Sequence, residues 1–248
     1  MALTLVFALT VVISSLGVLE ARQLPSYIKP CSKSDPELNK CIKERAIEVL
    51  PRILQGDKSY KIPSFSPFRI PLIDVKGSSG LSFQLKDLEL DGLNTTEIRT
   101  INFDIPNKKI SVEVFIKDTK MNGRYSVDGK IFSLSLKGEG PANFNSENVT
   151  VHYTIDYELI FKNNKNFIDI NNFKTNLDLD IAKTHYYFGN LFGGNKLLGD
   201  NLNQLLNDNP KEVDELSGDA NKVIINSIVS SLFTALFKIV SFDEIFVD

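Results

Sequence analysis

Residues 222–238 read KVIINSIVSSLFTALFK, and this stretch decides the expected fold. Between Lys222 and Lys238 no side chain is charged, and the apolar residues point in every direction around a helix. A helix that is apolar on all sides is expected to be buried on all sides, in a protein core or in a membrane. Fifteen residues, five of them Asn, Ser or Thr, are too few and too polar to cross a bilayer. The stretch therefore predicts a helix that the rest of the protein sheathes.

Start signals place this helix and one near the N-terminus, and a further short helix is expected between them. Asn209-Pro210-Lys211-Glu212 supplies a cap, a proline at the first helical position and an early acid, so the long helix is expected to run from there to about Val240. A short helix over residues 197–206 precedes it. Near the N-terminus, residues 34–37 read SDPE and begin an amphipathic helix, which Pro51 is expected to kink and Gly56 to end.

Most of the chain between these helices alternates between apolar and polar residues, which indicates β-strands. The alternation slips by one residue between Leu85 and Leu88 and again near residue 131, and such slips indicate bulges that bend a sheet. Residues 149–161 alternate without interruption and are expected to form one strand. Three short connections imply an antiparallel meander, namely Pro106-Asn107-Lys108, Asn122-Gly123 and Asn163-Asn164. The expected class is α+β, with a highly curved antiparallel sheet wrapped around the long helix.

The N-terminus and the cysteines indicate a secreted protein. Residues 1–21 have the apolar run and small-residue end of a signal peptide, and their removal leaves residues 22–248 with a net charge of −2. That charge favours neither nucleic acid nor an anionic membrane as a partner. Cys31 and Cys41, the only cysteines, would most simply form one local disulfide in a secreted chain. Asn94 and Asn148 begin N-glycosylation sequons at expected strand margins. Length alone allows one domain or two.

Nothing in the sequence indicates an enzyme, a metal site or a cofactor. The only histidines, His152 and His185, have no Cys or second His at ligand spacing. Residues 77–80 read GSSG, which is not the Gly-x-Ser-x-Gly elbow of a hydrolase, and no phosphate-binding loop is present. The expectation is a non-enzymatic binding protein without a cofactor.

Ordered short motifs resemble the insect takeout and juvenile-hormone-binding protein family over nearly the whole mature chain. The motifs are Leu24-Pro25 through Cys31, Leu38-Asn39-Lys40-Cys41-Ile42, Gly56-Asp57, Tyr60-Lys61-Ile62-Pro63, Pro67, Ile70-Pro71, Asp91-Gly92-Leu93, Gly123-Arg124-Tyr125, Gly138-Glu139-Gly140-Pro141, Tyr187-Phe188-Gly189-Asn190-Leu191-Phe192 and Phe242-Asp243-Glu244-Ile245-Phe246. The resemblance implies a single domain over residues 22–248, of the tubular lipid-binding type. It also implies an internal tunnel for a hydrophobic ligand and a disulfide between Cys31 and Cys41. Lepidopteran hormone carriers of the family have a second disulfide, which this chain lacks, so the likeness is to the takeout-like branch.

The expected function is a monomeric, secreted carrier of a terpenoid such as juvenile hormone, a fatty acyl compound or another lipid, without membrane insertion. The alternative is a secreted interaction or signalling protein of the same fold that has a filled core and acts through its surface. Tyr125, Tyr153 and His185 are candidates for a polar contact with the ligand, because an aromatic ring can stay apolar while its tip forms one hydrogen bond. The other candidate ligand-binding residues are inward-phase strand and helix positions, namely Phe83, Phe103, Val112, Val114, Phe132, Leu134, Val151, Ile155, Val223, Ile224, Ile228 and Phe233.

Overall fold

The computed structural model describes residues 24–76, 82–131, 134–169, 171–238 and 240–248. The expected signal peptide therefore lies outside the described residues. The elements in chain order are β1 (Cys31–Ser32), α1 (Leu38–Gln55), β2 (Phe68–Lys76), β3 (Ser82–Asp91), β4 (Thr96–Asp104), β5 (Lys109–Ile131), β6 (Leu134–Asp156), β7 (Leu159–Lys162), β8 (Lys165–Ile168), β9 (Lys174–Phe188), α2 (Lys196–Asp208), α3 (Pro210–Phe237), α4 (Phe242–Ile245) and β10 (Phe246–Val247).

A six-stranded antiparallel sheet forms the body of the protein and confirms the α+β class. Its strand order is β2-β3-β5-β6-β9, and β4 pairs with β5 beside β3. The two central strands, β5 and β6, are each 23 residues long. The N-terminal half of β5 pairs with β4 and its C-terminal half pairs with β3. The sheet therefore has two ends with different neighbours, and one hydrophobic core runs along both of them.

The expected turn at Asn122-Gly123 is wrong, because both residues lie inside β5. Gly123 is instead required by close packing: a Cβ there would lie 2.7 Å from Leu88 Cδ2 and 2.8 Å from the carbonyl oxygen of Lys86. These two residues flank the bulge expected between Leu85 and Leu88. The pairing of β3 with β5 shifts register between Lys86 and Glu89, which confirms that bulge.

The buried side of the two central strands changes along their length. In β5, Ile110 and Ile116 are buried at even positions, whereas Tyr125 and Val127 are buried at odd positions. The pairing with β6 keeps one register throughout, so the two strands change face together. On β6 the change falls at Asn148, which interrupts the alternation with a φ of 53°, a conformation that Asn tolerates better than most residues. Asn148 is therefore an exposed residue inside a strand and does not lie at a strand margin as expected.

The expected strand over residues 149–161 is divided into two. β6 ends at Asp156, and β7 pairs with β8 in a separate hairpin. Its turn is Asn163-Asn164, where both residues have positive φ, as the two-residue hairpin connection requires. The expected turn is confirmed, but it belongs to a two-stranded sheet apart from the main one.

The sheet covers the long helix α3 only in part, because it does not close, so the expectation of burial on all sides is wrong. α3 contacts both β2 and β9, the two outer strands of the path through the sheet, so it lies between the edges of a sheet that does not close. Only 22% of residues 220–237 are buried, and Val223 is 44% exposed. Ser and Thr make partial exposure tolerable, as where the Ser227 hydroxyl donates to the carbonyl of Val223 at 2.7 Å.

By length and hydropathy alone, residues 220–237 could also cross a membrane. Core helices of soluble proteins can have the same length and hydropathy, so these two properties do not distinguish a helix in a protein core from one in a membrane.

The first and last strands, β1 and β10, meet beside α1. The disulfide Cys31–Cys41, with Cα atoms 6.1 Å apart, ties β1 to α1, and β1 pairs in parallel with β10. α1 continues through Pro51 and ends at Gln55, before Gly56 with its φ of 85°. The expected disulfide and the expected helix end are confirmed.

Candidate ligand-binding cavity

An apolar cavity lies between one end of the sheet and the helices α2 and α3. The cavity volume is about 130 Å³. One buried water needs only about 10–15 Å³, so the cavity has room for a ligand. The lining residues are Phe83, Leu85, Met121, Tyr125, Val127, Leu136, Phe144, Ser146, Ile181, Thr184, Tyr186, Phe188, Leu191, Leu202, Leu206, Val213, Ala220, Asn221 and Ile224.

Phe188 at the end of β9 is the centre of the aromatic wall. Its ring meets those of Phe83, Tyr125 and Phe144 edge-on, with centroids 5.9, 5.0 and 5.5 Å away. Edge-to-face pairs of this kind are favourable beyond the area they bury. The four rings therefore form a stable side of the cavity that contains a single hydroxyl, that of Tyr125.

Two asparagines attach α2 to the free edge of β9. The Asn203 side chain accepts from the N–H of Phe188 at 2.8 Å and donates to its carbonyl at 2.9 Å. Asn207 makes the same pair of bonds with Tyr186, both at 2.8 Å. Residues four apart on a helix are separated by about 6 Å along its axis, and alternate residues of a strand by roughly 6.7 Å. The spacing of Asn203 and Asn207 on α2 therefore matches that of Tyr186 and Phe188 on β9. This attachment places Leu202 and Leu206 over the cavity.

The hydroxyl groups of the sheet wall have partners inside the protein. The Tyr125 hydroxyl donates to the carbonyl of Gly189 at 2.9 Å, and burial raises the pKa of Tyr125 to about 12, so it is neutral at physiological pH. Ser146 and Thr184 hydrogen-bond to each other at 3.0 Å.

Asn221 on α3 differs from these groups. Its amide has no hydrogen bond within the part of the chain that the structure describes, and its side chain is half-buried at the cavity.

The described lining is uncharged, because it contains no Lys, Arg, His, Asp or Glu. It resembles a small-molecule site in this respect: mostly hydrophobic walls with a few placed polar groups. The described ranges also contain no group of three His, Cys, Asp or Glu side chains that could hold a metal ion.

The structure brings three of the sequence-predicted ligand residues to this cavity, namely Phe83, Tyr125 and Ile224. His185 and Val223 are exposed and do not line it. Phe132 lies outside the described residues, as does the side chain of Leu134.

The remaining predicted residues lie outside the cavity lining. Phe103 packs against Tyr157 and Phe246, with centroids 5.8 and 4.8 Å away. Tyr153 hydrogen-bonds to α3, and Phe233 packs against Phe173. The others contribute to the packed core, namely Val112, Val114, Val151, Ile155 and Ile228.

Sequence reasoning missed the contribution of α2 and of the end of β9. Tyr186 and Phe188 are two residues apart and follow the strand period, while Leu202 and Leu206 are four apart and follow the helix period. Both periods can be seen in the sequence. The two segments cover one cavity because Asn203 and Asn207 join them, and a pattern within one segment does not predict such a contact between segments.

A second, more polar groove lies on the surface between α1 and the turn before β4. Exposed apolar residues such as Ile47 and Pro51 line it together with Asn94 and Glu97. A charged carboxylate at its wall makes it a poorer fit to a hydrophobic ligand than the uncharged cavity.

Comparisons with known proteins agree with the fold and place the chain in a family. The crystal structure of Epiphyas postvittana Takeout 1 superposes with a TM-score of 0.75 at 24% identity, over 88% of this chain and 99% of that one. The "Putative beta-carotene-binding protein" of Schistocerca gregaria is 25% identical over 130 residues. That match covers 52% of each chain, so this chain aligns with about half the length of that relative. The family model described as "Haemolymph juvenile hormone binding protein (JHBP)" matches residues 4–247. The chain belongs to this haemolymph juvenile hormone binding protein family.

Proposed function

We propose that this protein is a carrier that binds a small hydrophobic ligand in the cavity between the sheet, α2 and α3. The observation that carries the proposal is the uncharged lining, in which aromatic and aliphatic side chains surround free space. A terpenoid, a fatty acyl compound or another lipid would bury its apolar surface there, which contributes about 25 cal/mol per Å². No reaction chemistry is needed for this function, so the proposal is a binding protein and not an enzyme.

Family membership supports the carrier function and leaves open which hydrophobic ligand this chain binds. The curated relative in Schistocerca gregaria is named for binding beta-carotene, a long apolar terpenoid. A polyene of that kind and a hormone-sized terpenoid both fit the chemistry of an apolar wall. The ligand class therefore stays at small hydrophobic compounds.

We further propose that the carrier is secreted and monomeric, with residues 22–248 as one domain. The apolar N-terminus, the single disulfide and the two sequons support the secretory route. Asn94 and Asn148 are both exposed, so a glycan could be accommodated at either position. Expression in insect cells tests the secretory route. Mature protein in the medium that begins near residue 22 would support it. Protein that stays inside the cell and still carries residues 1–21 would contradict it.

The experiment for the carrier function is native mass spectrometry of the secreted protein, followed by organic extraction. We expect one apolar molecule per protein, released by the solvent and identified in the extract. Protein that is free of ligand and that fails to bind any hydrophobic probe would favour the alternative, an interaction protein acting through its surface.

A further inference from the structure

The cavity has a polar feature that carriage of a hydrocarbon does not use. Asn221 lines it from α3, one residue after Ala220 and one turn before Ile224, which line it as well. Its side-chain amide has two donors and one acceptor. None of them has a partner among the described residues. A half-buried amide without a protein partner is free to bind a water or a ligand atom.

The hydroxyls on the opposite wall are less available. Tyr125 uses its donor on the carbonyl of Gly189, and Ser146 and Thr184 are paired with each other. A ligand oxygen that approached the Tyr125 hydroxyl would have to compete with a bond already formed, whereas the Ser146–Thr184 pair leaves one hydroxyl hydrogen free. A ligand oxygen that reached Asn221 would add a bond without breaking one.

The cavity also lacks the group that a free carboxylic acid needs. None of the described lining residues is Lys, Arg or His. A carboxylate moved from water into such a site has no counter-charge, and the acid would instead have to bind in its protonated form. Above the pKa of the acid, each pH unit then lowers its apparent affinity about tenfold. An alcohol or an ester carries no such penalty.

We propose that the cavity selects neutral ligands that carry a hydrogen-bonding oxygen, such as alcohols and esters, over free carboxylic acids, and that Asn221 binds that oxygen. This inference rests on the proposed carrier function, since it concerns the same cavity. It assigns Asn221 as the residue that determines head-group specificity.

The test compares three ligands with the same chain, dodecanol, methyl dodecanoate and dodecanoic acid, by displacement of bound N-phenyl-1-naphthylamine from the full mature protein. At pH 8 we expect the alcohol and the ester to bind at least tenfold more tightly than the acid. Between pH 8 and pH 5 the affinity of the acid is expected to rise, whereas that of the alcohol stays constant. Dodecane serves as the ligand without a polar group.

The variant Asn221→Leu keeps a side chain of similar size and removes the amide. We expect the preference for dodecanol over dodecane to fall about three- to tenfold, the value of one neutral hydrogen bond. Asn221→Gln, which keeps the amide, should restore part of that preference. The thermal midpoint of each variant shows whether it is folded.

The outcomes separate the two proposals. Failure of the probe and of all four ligands to bind would contradict the carrier function itself. Binding of dodecanoic acid at pH 8 as tightly as dodecanol would overturn the head-group inference and leave the carrier function standing. An unchanged preference in Asn221→Leu would overturn the role of Asn221 in the same way.

Discussion

The Tyr153 hydroxyl of β6 donates a hydrogen bond of 2.6 Å to Oδ1 of Asn226 on α3. Tyr153 was expected to meet a ligand, and burial raises the pKa of its hydroxyl, so it remains a donor at physiological pH. The bond instead joins the apolar helix to the middle of the sheet. Asn226, which looked like an interruption of the apolar stretch, is one of the residues that hold α3 in position.

Tyr153→Phe tests this attachment. The substitution leaves the partly buried Asn226 carbonyl without its donor, and we expect the free energy of unfolding to fall by about 1–2 kcal/mol. Urea denaturation of the mature protein measures the loss. Asn226→Leu combined with Tyr153→Phe removes both partners and should cost less than the sum of the single changes. Additive losses in this cycle would mean that the two side chains do not interact.

The attachment of α2 through Asn203 makes a second prediction. Asn203→Leu leaves the N–H and carbonyl of Phe188 without partners at the edge of β9, so we expect a loss of about 1–3 kcal/mol in unfolding free energy. Amide hydrogen exchange should also become faster at Phe188. Asn201→Leu is the matched control, because Asn201 is exposed on the same helix and should change neither quantity. Equal effects of the two variants would contradict the role given to Asn203.

The carboxyl of Glu244 makes stability depend on pH at the C-terminal end of the chain. Burial opposes its ionisation, but hydrogen bonds from Lys165 and Ser241 outweigh burial, so the pKa of Glu244 lies below its ordinary value of 4.5. A lowered carboxyl pKa stabilises the folded state above the ordinary value, and this contribution is lost as the pH falls through the folded pKa.

Glu244→Gln therefore should destabilise the protein by about 1 kcal/mol at pH 7 and have little effect once Glu244 is protonated in the wild type. Denaturation at pH 7 and at a series of pH values below the ordinary carboxyl pKa of 4.5 provides the comparison. A difference between wild type and variant that does not shrink as the pH falls through this series would show that the charge of Glu244 is not responsible.

The disulfide should stabilise the region where β1 and β10 pair. Cys41→Ser opens the loop that ties β1, and through it β10, to α1, and we expect a loss of about 2–5 kcal/mol with the main sheet still formed. Thermal unfolding followed by far-ultraviolet circular dichroism measures both the midpoint and the retained strand signal. Replacing both cysteines is the control, since a stray thiol cannot then be the cause. An unchanged midpoint would show that the bridge is not formed.

The sequence predicted the elements better than their arrangement. The slip between Leu85 and Leu88 correctly indicated a bulge, because a phase change is a local property of one strand. The pair Asn122-Gly123 wrongly indicated a turn, since a glycine required by close packing looks the same as one required by a turn. Only the contact with Leu88 on the neighbouring strand distinguishes the two cases.

The same limit applies to α3 and to the cavity. An apolar helix between the two edges of an open sheet has the same composition as one that a closed sheet sheathes, so exposure of Val223 could not be foreseen. Alternation predicts inward-facing positions alike, yet Val151 and Ile155 belong to the packed core while Phe83 lines free space. Which end of the sheet retains a cavity depends on where α2 attaches, and that is set by contacts between distant segments.

The carrier function is tested most directly by filling the cavity. Ala220 lines it, whereas Ala235 is buried on the same helix outside the lining. Ala220→Leu should place its side chain in free space and lower the affinity for N-phenyl-1-naphthylamine at least tenfold with little change in thermal midpoint. Ala235→Leu should overpack the core, at a cost of about 1–3 kcal/mol, and leave the affinity of the folded protein unchanged. A titration in which Ala220→Leu binds the probe as tightly as the wild type would contradict ligand binding in this cavity.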